Sequence, residues 1–385
     1  MNAAPPPHAE PRRIGVLGMG THLPHRIRTN DEVARTVGVS AQWIGERTGV
    51  RTRHVAAPEQ AASDLAAGAV RAAASAAGID CRSIDLLLCA TSTPDELGPA
   101  TACRVQALVG AESAVALDVS AACSGWLFAA KVAHDWLRAD GSARYAAVVG
   151  VEAYSKFVDR ADRGTAVLFA DGAAAAILGP VAAPHGFSDF VLGSDGTLAG
   201  LVLIPAGGSR LPASAETLAG QGHRIRMDGR AVSHFITDVF PRLVHEALDR
   251  NGLKVSDVDA LIAHQPNPAL LRRLGRELGF SDDRVTVIGD AVGNIGAASA
   301  PFALATAAAE QRLPTGGLAL IVVFGAGMTW GTALLGWSGA PAMLTTSVPP
   351  AAVPPTPASP AAVPPTSVPP AAVPAKADLL ERHPR

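Results

Sequence analysis

Cys123 stands in SAACSGW, just after an apolar strand that ends near Val119 and at the opening of the next helix. A helix N-terminus carries partial positive charge and free N–H groups, which favour a thiolate and so activate a nucleophile. Ala121, Ala122, Ser124 and Gly125 are small and leave room beside the sulfur for an acyl chain. The competing reading of a lone cysteine is a small buried hydrophobe, which suits Cys89. His264 closes the strand ALIAHQ ahead of Gln265, Pro266 and Asn267, which stop strand pairing and begin a loop. On spacing alone it reads equally as a core histidine and as a catalytic one. Asn294 lies in DAVGNIGAAS, a glycine-bounded turn into a helix, where an asparagine also serves as an N-cap. FGAGMTWG (324–331) follows the last apolar strand. Backbone N–H groups in so glycine-rich a turn are ready oxyanion donors, although a plain hairpin uses the same residues.

The elements that must position these groups form two series in the same order. SIDLLLCAT (83–91), PATACRVQALVG (99–110), SAVALDVS (113–120), CSGWLFAAKVAHDWLRA (123–139) and RYAAVVGVEAY (144–154) read as strand, helix, strand, helix, strand. DVDALIAHQ (257–265), ALLRRLGRELG (269–279), RVTVIGDAV (284–292), AASAPFALATAAAEQR (297–312) and GLALIVVFGAG (317–327) repeat that order. Short apolar strands alternating with helices predict a parallel-rich sheet covered on both faces, and two units in tandem suggest a pseudo-twofold. Ligands of open α/β sheets gather at the carboxyl ends of strands, where all the motifs above fall.

A chain of 385 residues with 48% hydrophobic residues can bury a large core, and a net charge of −2 gives no electrostatic reason to expect nucleic acid or an anionic membrane as partner. Cys81, Cys89, Cys103 and Cys123 lie in no metal-binding spacing, and no basic-then-apolar leader or membrane-length apolar run is present. The chain therefore reads as soluble and cytoplasmic with reduced thiols. Residues 1–13 are read as a disordered N-terminal extension and 338–385 as a Pro/Ala-rich disordered tail, in which TSVPPAAVP recurs at 346–354 and 366–374. Residues 14–185 and 186–337 are the two halves between them.

WIGERTGVRTRH (43–54), AACSG (121–125), DRGTAVLFADGAAAAIL (162–178), HQPN (264–267), GNIGAAS (293–299) and FGAGMTWG together resemble β-ketoacyl-acyl-carrier-protein synthase III in order and spacing. That resemblance implies the α/β thiolase fold, with layered α-β-α-β-α sheets in two related halves. It implies a Cys-His-Asn set at Cys123, His264 and Asn294, with the N–H groups of Cys123 and Ala326 as the oxyanion hole. An acyl group from coenzyme A would load on Cys123, and malonyl-acyl carrier protein would then lose carbon dioxide and attack the thioester. His264 and Asn294 would hold the enolate. Trp43, Arg47 and Arg163 match positions that bind coenzyme A, with Gln265, Asn267, Arg272 and Arg273 as contacts to the carrier or its pantetheine. Leu97 matches a position that reaches from a partner subunit into the acyl pocket of a homodimer. Coenzyme A thioester is implied as substrate, with no permanently bound cofactor and no metal.

The sequence departs from the family pattern at several places. Ala269, His234 and Glu277 stand where basic residues are usual on the carrier-docking face, GNIGAAS replaces the usual GNTSAAS, and Ala326, Ala170 and Val292 are further substitutions. These point to a specialised member, with natural-product chemistry as one setting. A second reading is an acyltransferase that passes the group from Cys123 to a hydroxyl or amine. Retention of both His264 and Asn294 favours condensation, because simple transfer needs a base more than an enolate clamp. Hydroxymethylglutaryl-type chemistry would need a carboxylate where Ser92 stands, and a silent carrier-binding scaffold would not need an intact Cys-His-Asn set.

Overall fold

The computed structural model describes residues 12–347, so residues 1–11 and most of the Pro-rich repeat lie outside the described residues. The first half builds its sheet from β1 (Ile14–Leu23), β2 (Leu86–Ala90), β3 (Val115–Val119), β4 (Ala146–Ala153) and β5 (Asp171–Pro180). The second half builds another from β6 (Gly186–Ser194), β7 (Ala260–Ala263), β8 (Leu318–Gly325) and β9 (Thr329–Gly336). Their orders, β1-β5-β4-β2-β3 and β6-β9-β8-β7, correspond in the first four positions. So do the directions, since β4–β2 and β8–β7 are parallel whereas β4–β5, β5–β1, β8–β9 and β9–β6 are antiparallel.

Two expectations are corrected by this topology. The sheets are mixed rather than parallel-rich, because β5 and β9 return beside their predecessors through loops rather than helical crossovers. The second-half equivalent of β3, expected over 284–292, is reduced to a single parallel bridge between Leu261 and Val285. Gly289–Val292 is instead a helical turn.

Helices Ala62–Ala77 and Thr101–Val109 pack on the outer face of the first sheet. Gly125–Ala139 and Ser299–Ala309 lie between the two sheets, in a core cluster that draws on both. Gly229–Arg250 and Pro268–Glu277 cover the outer face of the second sheet. Ser299–Ala309 is buried over nearly its whole length, as its uniformly apolar sequence requires of a central helix. The result is five layers, α-β-α-β-α, with the two central helices entered through the Cys123 and Asn294 turns.

The expected tail begins too early. A further strand, β10 (Ala342–Thr346), pairs parallel with β1 from Met19 to Leu23, so 338–347 belong to the folded unit. The His22 ring is 3.1 Å from the Thr345 hydroxyl and 2.8 Å from that of Ser347. Thr-rich AMLTT supplies a strand that the neighbouring prolines obscured. At the other end, the Arg12 guanidinium donates to the carbonyls of Leu137 and Ala143, so Arg12 and Arg13 are also part of the described fold.

Candidate active site

Cys123 follows β3 in a 3₁₀ turn, Ala122–Ser124, that leads into Gly125–Ala139. Ala122 has φ +46°, a left-handed conformation that costs alanine about 1 kcal/mol and turns the chain sharply so that Cys123 faces the cleft. β8 ends directly against this turn. A Cβ on Gly325 would lie 2.8 Å from the backbone nitrogens of Cys123 and Ser124, so only glycine permits the approach. Ala326 follows it into the turn before β9, and the described residues offer its N–H no acceptor.

His264 follows the last residue of β7, and its N–H donates to the Val322 carbonyl at 3.0 Å. Its ring is buried, with Nδ1 2.6 Å from the Ser299 hydroxyl. Asn294 exchanges backbone hydrogen bonds with the 168–170 segment, and its Oδ1 accepts the Gly296 N–H at 3.0 Å. That bond orients the amide and leaves Nδ2 as a donor with no acceptor among the described residues. Cys123, His264, Asn294 and Ala326 line one cavity of about 470 Å³. The cavity walls are largely apolar, with Phe169, Val202, Ile204, Ile225, Met227 and Phe324 among them.

The electrostatics differ from the sequence expectation of a helix-activated thiolate. Burial and the nearby Glu152 carboxylate push the Cys123 thiol up to about 12, against hydrogen bonds from the Tyr154 hydroxyl and its own N–H. Burial holds His264 down to about 3, against a bond to the Gly296 backbone. At rest the two are a neutral thiol and a neutral imidazole, so proton transfer accompanies attack rather than preceding it.

A second cavity of about 630 Å³ adjoins the first, sharing Met227, Val232, Ile236, Pro266 and Asn294. Trp43, Arg47, Arg163, Asn267 and Arg273 line it. Trp43 and Arg47 sit on the short helix Ala41–Thr48, capped by the Ser40 hydroxyl. Asn267 caps Pro268–Glu277 and donates to the Arg47 carbonyl at 3.2 Å, which ties this helix to the loop after His264. A half-exposed indole beside guanidinium groups suits a flat, phosphate-bearing ligand.

Residues 117–196 match the 3-oxoacyl-[acyl-carrier-protein (ACP)] synthase III family, and residues 248–337 match the description 3-oxoacyl-[acyl-carrier-protein (ACP)] synthase III C terminal. The beta-ketoacyl-[acyl-carrier-protein] synthase III of Symbiobacterium thermophilum is 43% identical over 326 residues, covering 85% of this chain and 98% of that protein. The chain belongs to the synthase III family. Among solved structures, 3-oxoacyl-(acyl carrier protein) synthase III of Pseudomonas aeruginosa PAO1 superposes with a TM-score of 0.77 at 38% identity, over 85% of this chain and 98% of the other. The priming beta-ketosynthase of the R1128 polyketide biosynthetic pathway gives 0.78 at 32% identity, over 88% of this chain and 100% of the other. This synthase III chain is thus a condensing acyltransferase of the thiolase fold.

Two of the expected contacts in this synthase III chain are placed elsewhere. Gln265 is fully buried and spends its amide on the backbone, donating to the Thr286 carbonyl at 2.6 Å and accepting from the N–H groups of Ile288 and Gly289. It braces the loop beneath the cleft and is not a pantetheine contact. Arg272 lines neither cavity and pairs with Asp290 at 3.2 Å. Arg273 pairs with Glu277 and Arg276 with Asp282, so all three basic side chains of that helix face carboxylates of their own chain. Leu97 is 85% exposed and lies outside both cavities.

The sequence reading missed Glu152, Tyr154 and Ser299. Glu152 is buried beneath the site, where it accepts from the Thr93 hydroxyl at 2.9 Å, the Ser92 N–H at 3.1 Å and the Ala297 N–H at 3.4 Å. Burial pushes its carboxyl up to about 8, against those hydrogen bonds. The one signal available was a charged residue inside the otherwise apolar strand AAVVGVEA. Tyr154 stands just past that strand, and Ser299 opens the central helix.

Proposed function

We propose that the chain takes an acyl group from an acyl-coenzyme A onto Cys123 and condenses it with a malonyl thioester carried by acyl carrier protein, releasing carbon dioxide. The observation that carries this reading is the pair of adjoining cavities. Cys123, His264 and Asn294 line the inner one, and Trp43, Arg47 and Arg163 line the outer. The nucleotide end of coenzyme A occupies the outer cavity, and its pantetheine runs past Met227 and Asn294 to the sulfur.

In the first half-reaction the Cys123 thiol attacks the thioester carbonyl while His264 Nε2 takes its proton. The oxyanion is held by the N–H groups of Cys123 and Ala326. Collapse expels coenzyme A thiolate, which recovers the proton from His264. In the second half-reaction the malonyl C–C bond breaks, and the enolate oxygen is held by His264 Nε2–H and Asn294 Nδ2. The enolate carbon attacks the acyl-Cys123 carbonyl, the C–S bond breaks, and Cys123 leaves as a thiolate. Nothing in these steps calls for a metal or a resident cofactor.

The carrier docks at the outer mouth, with Arg273 and Asn267 as its contacts. The protein acts in the cytoplasm as a homodimer in which the exposed Leu97 and the free edge of β3 meet a second copy. No helix among the described residues is long and apolar enough to cross a membrane. Incubation with acyl-coenzyme A and then [carboxyl-¹⁴C]malonyl-acyl carrier protein tests the reaction. A Cys123 acyl adduct, released label and a 3-ketoacyl carrier are expected. An adduct discharged by alcohols or amines, without carbon dioxide release, would establish the acyltransferase instead.

A further inference from the structure

The phenol of Tyr154 is buried against the nucleophile. Its hydroxyl lies 3.8 Å from Cys123 Sγ, a distance at which sulfur still accepts a hydrogen bond, and 3.5 Å from the Ser92 hydroxyl. Its ring packs edge-on against Phe169 with centroids 4.7 Å apart, which holds the phenol oxygen in place while its O–H remains free to rotate. Both of these hydroxyl contacts are long, and the buried Glu152 carboxyl is a third acceptor within its reach, so at rest the donor is shared among several partners. It can turn toward a stronger acceptor when one forms.

The neighbouring turn is shaped around that hydroxyl. Gly296 has φ +49°, and a Cβ built on it would lie 2.6 Å from the Tyr154 hydroxyl and 2.7 Å from Glu152 Cγ. The substitution noted in GNIGAAS thus has a physical counterpart, because any side chain at 296 would occupy the space of the phenol oxygen. Three titratable groups face the sulfur or share its cavity. They are Glu152 at the end of β4, Tyr154 just after it, and His264 beyond β7. Glu152 opposes negative charge on sulfur and His264 presents the proton acceptor. Tyr154 is the side chain whose hydroxyl already contacts the sulfur and can donate to it once its proton has gone.

We infer that Tyr154 is a further catalytic residue, whose hydroxyl donates to Cys123 Sγ as negative charge develops there, and that Gly296 leaves it the room to do so. This rests on the reading of Cys123 as the nucleophile. During loading, the S–H bond breaks toward His264 while the Tyr154 O–H turns from Ser92 to sulfur. When Cys123 is expelled after condensation, the same bond stabilises the departing thiolate. The phenol keeps its proton throughout.

The test is the rate of Cys123 alkylation by iodoacetamide between pH 7 and 10 in the full chain, located by peptide mass spectrometry. Y154F keeps the ring and its packing on Phe169, and C123A identifies the labelled site. Loss of a hydrogen bond to a charged acceptor should slow alkylation about tenfold at each pH, equivalent to an upward shift of about one pH unit. The rate of acyl transfer from acyl-coenzyme A should fall in parallel with KM unchanged, whereas S92A should alkylate at least as fast as the parent. A parental alkylation profile in Y154F would overturn the proposal, most clearly if acyl-chain preference changed at the same time, since Tyr154 would then only line the pocket. An active C123A variant would instead remove Cys123 as nucleophile, a result separable from any effect of Y154F.

Discussion

His264 Nδ1 lies 2.6 Å from the Ser299 hydroxyl, which in turn is 2.8 Å from the Gly296 carbonyl. A hydroxyl has one proton, so these two contacts are linked. When Ser299 donates to Gly296, its oxygen accepts from Nδ1–H, and Nε2 faces the cleft as a lone pair. When the hydroxyl turns to donate to Nδ1, the ring proton resides on Nε2. In the proposed mechanism the first arrangement is the base for loading, and the second is the donor to the enolate.

Ser299→Ala should therefore separate the two half-reactions. Without the hydroxyl, Nδ1–H has only the Gly296 carbonyl as partner, which fixes the base-competent tautomer. Loading of Cys123 should stay within about threefold of the parent, while malonyl decarboxylation should fall about 100-fold, as for loss of one oxyanion donor. Single-turnover acylation and release of labelled carbon dioxide measure the two steps separately. Equal losses in both would mean that Ser299 merely holds the ring in place.

Glu152 gives the fold a pH dependence of definite sign. Burial raises its carboxyl from 4.5 to about 8. The folded state therefore binds its proton more tightly than the unfolded chain does. The resulting stability is complete below about pH 4.5 and is lost as pH rises through about 8. Glu152→Gln resembles the protonated acid and removes this dependence. The melting temperature of the parent should fall relative to the variant by about 5 °C between pH 5 and 9, with other titrating groups cancelling in the comparison. The substitution also removes a charge that raises the Cys123 thiol, so iodoacetamide should react faster with the variant at pH 9.

The outer cavity should bind the nucleotide without touching the chemistry. Trp43→Ala and Arg163→Ala should each raise KM for acyl-coenzyme A about tenfold and change kcat less than twofold, because their contacts are equal in ground and transition states. The same variants should match the parent with an acyl-pantetheine, which lacks the nucleotide. A KM defect that persists with the truncated thioester would place the damage in the helix Ala41–Thr48 itself.

The grouping of Cys123, His264 and Asn294 around one cavity was legible through the motifs that resemble the synthase III family. Cys123 and His264 follow apolar strands, which show as breaks in hydrophobic runs, whereas Asn294 follows a helical turn where a strand was expected, and the repeated strand order of the two halves could be read from the same runs. The local electrostatics were not legible. The thiol is raised by burial and by the carboxylate of Glu152, some thirty residues later in sequence, and it sits on a turn that requires left-handed backbone at Ala122, where glycine would have been the expected residue. Gln265 was misread because adjacency to His264 in sequence says nothing about side-chain direction. Past the strand end its amide turns under the loop instead of into the cleft. β10 was hidden because five strand residues sit against a proline-rich repeat whose composition dominates any window that includes them.

Gly325→Ala tests the contact on which the proposed oxyanion site depends. The added Cβ would meet the backbone nitrogens of Cys123 and Ser124 at 2.8 Å and the Ala121 carbonyl at 3.0 Å. All three are main-chain atoms, so no side-chain rotation relieves the overlap, and β8 must move away from the Cys123 turn. That separates the N–H of Ala326 from the N–H of Cys123, which must converge on one oxygen. We expect kcat for acyl transfer to fall about 100-fold and stability by about 1–3 kcal/mol, with KM for acyl-coenzyme A unchanged because the outer cavity is untouched. Steady-state kinetics and a denaturant melt measure both. A variant of parental kcat would mean that the oxyanion is held by groups other than these two backbone donors.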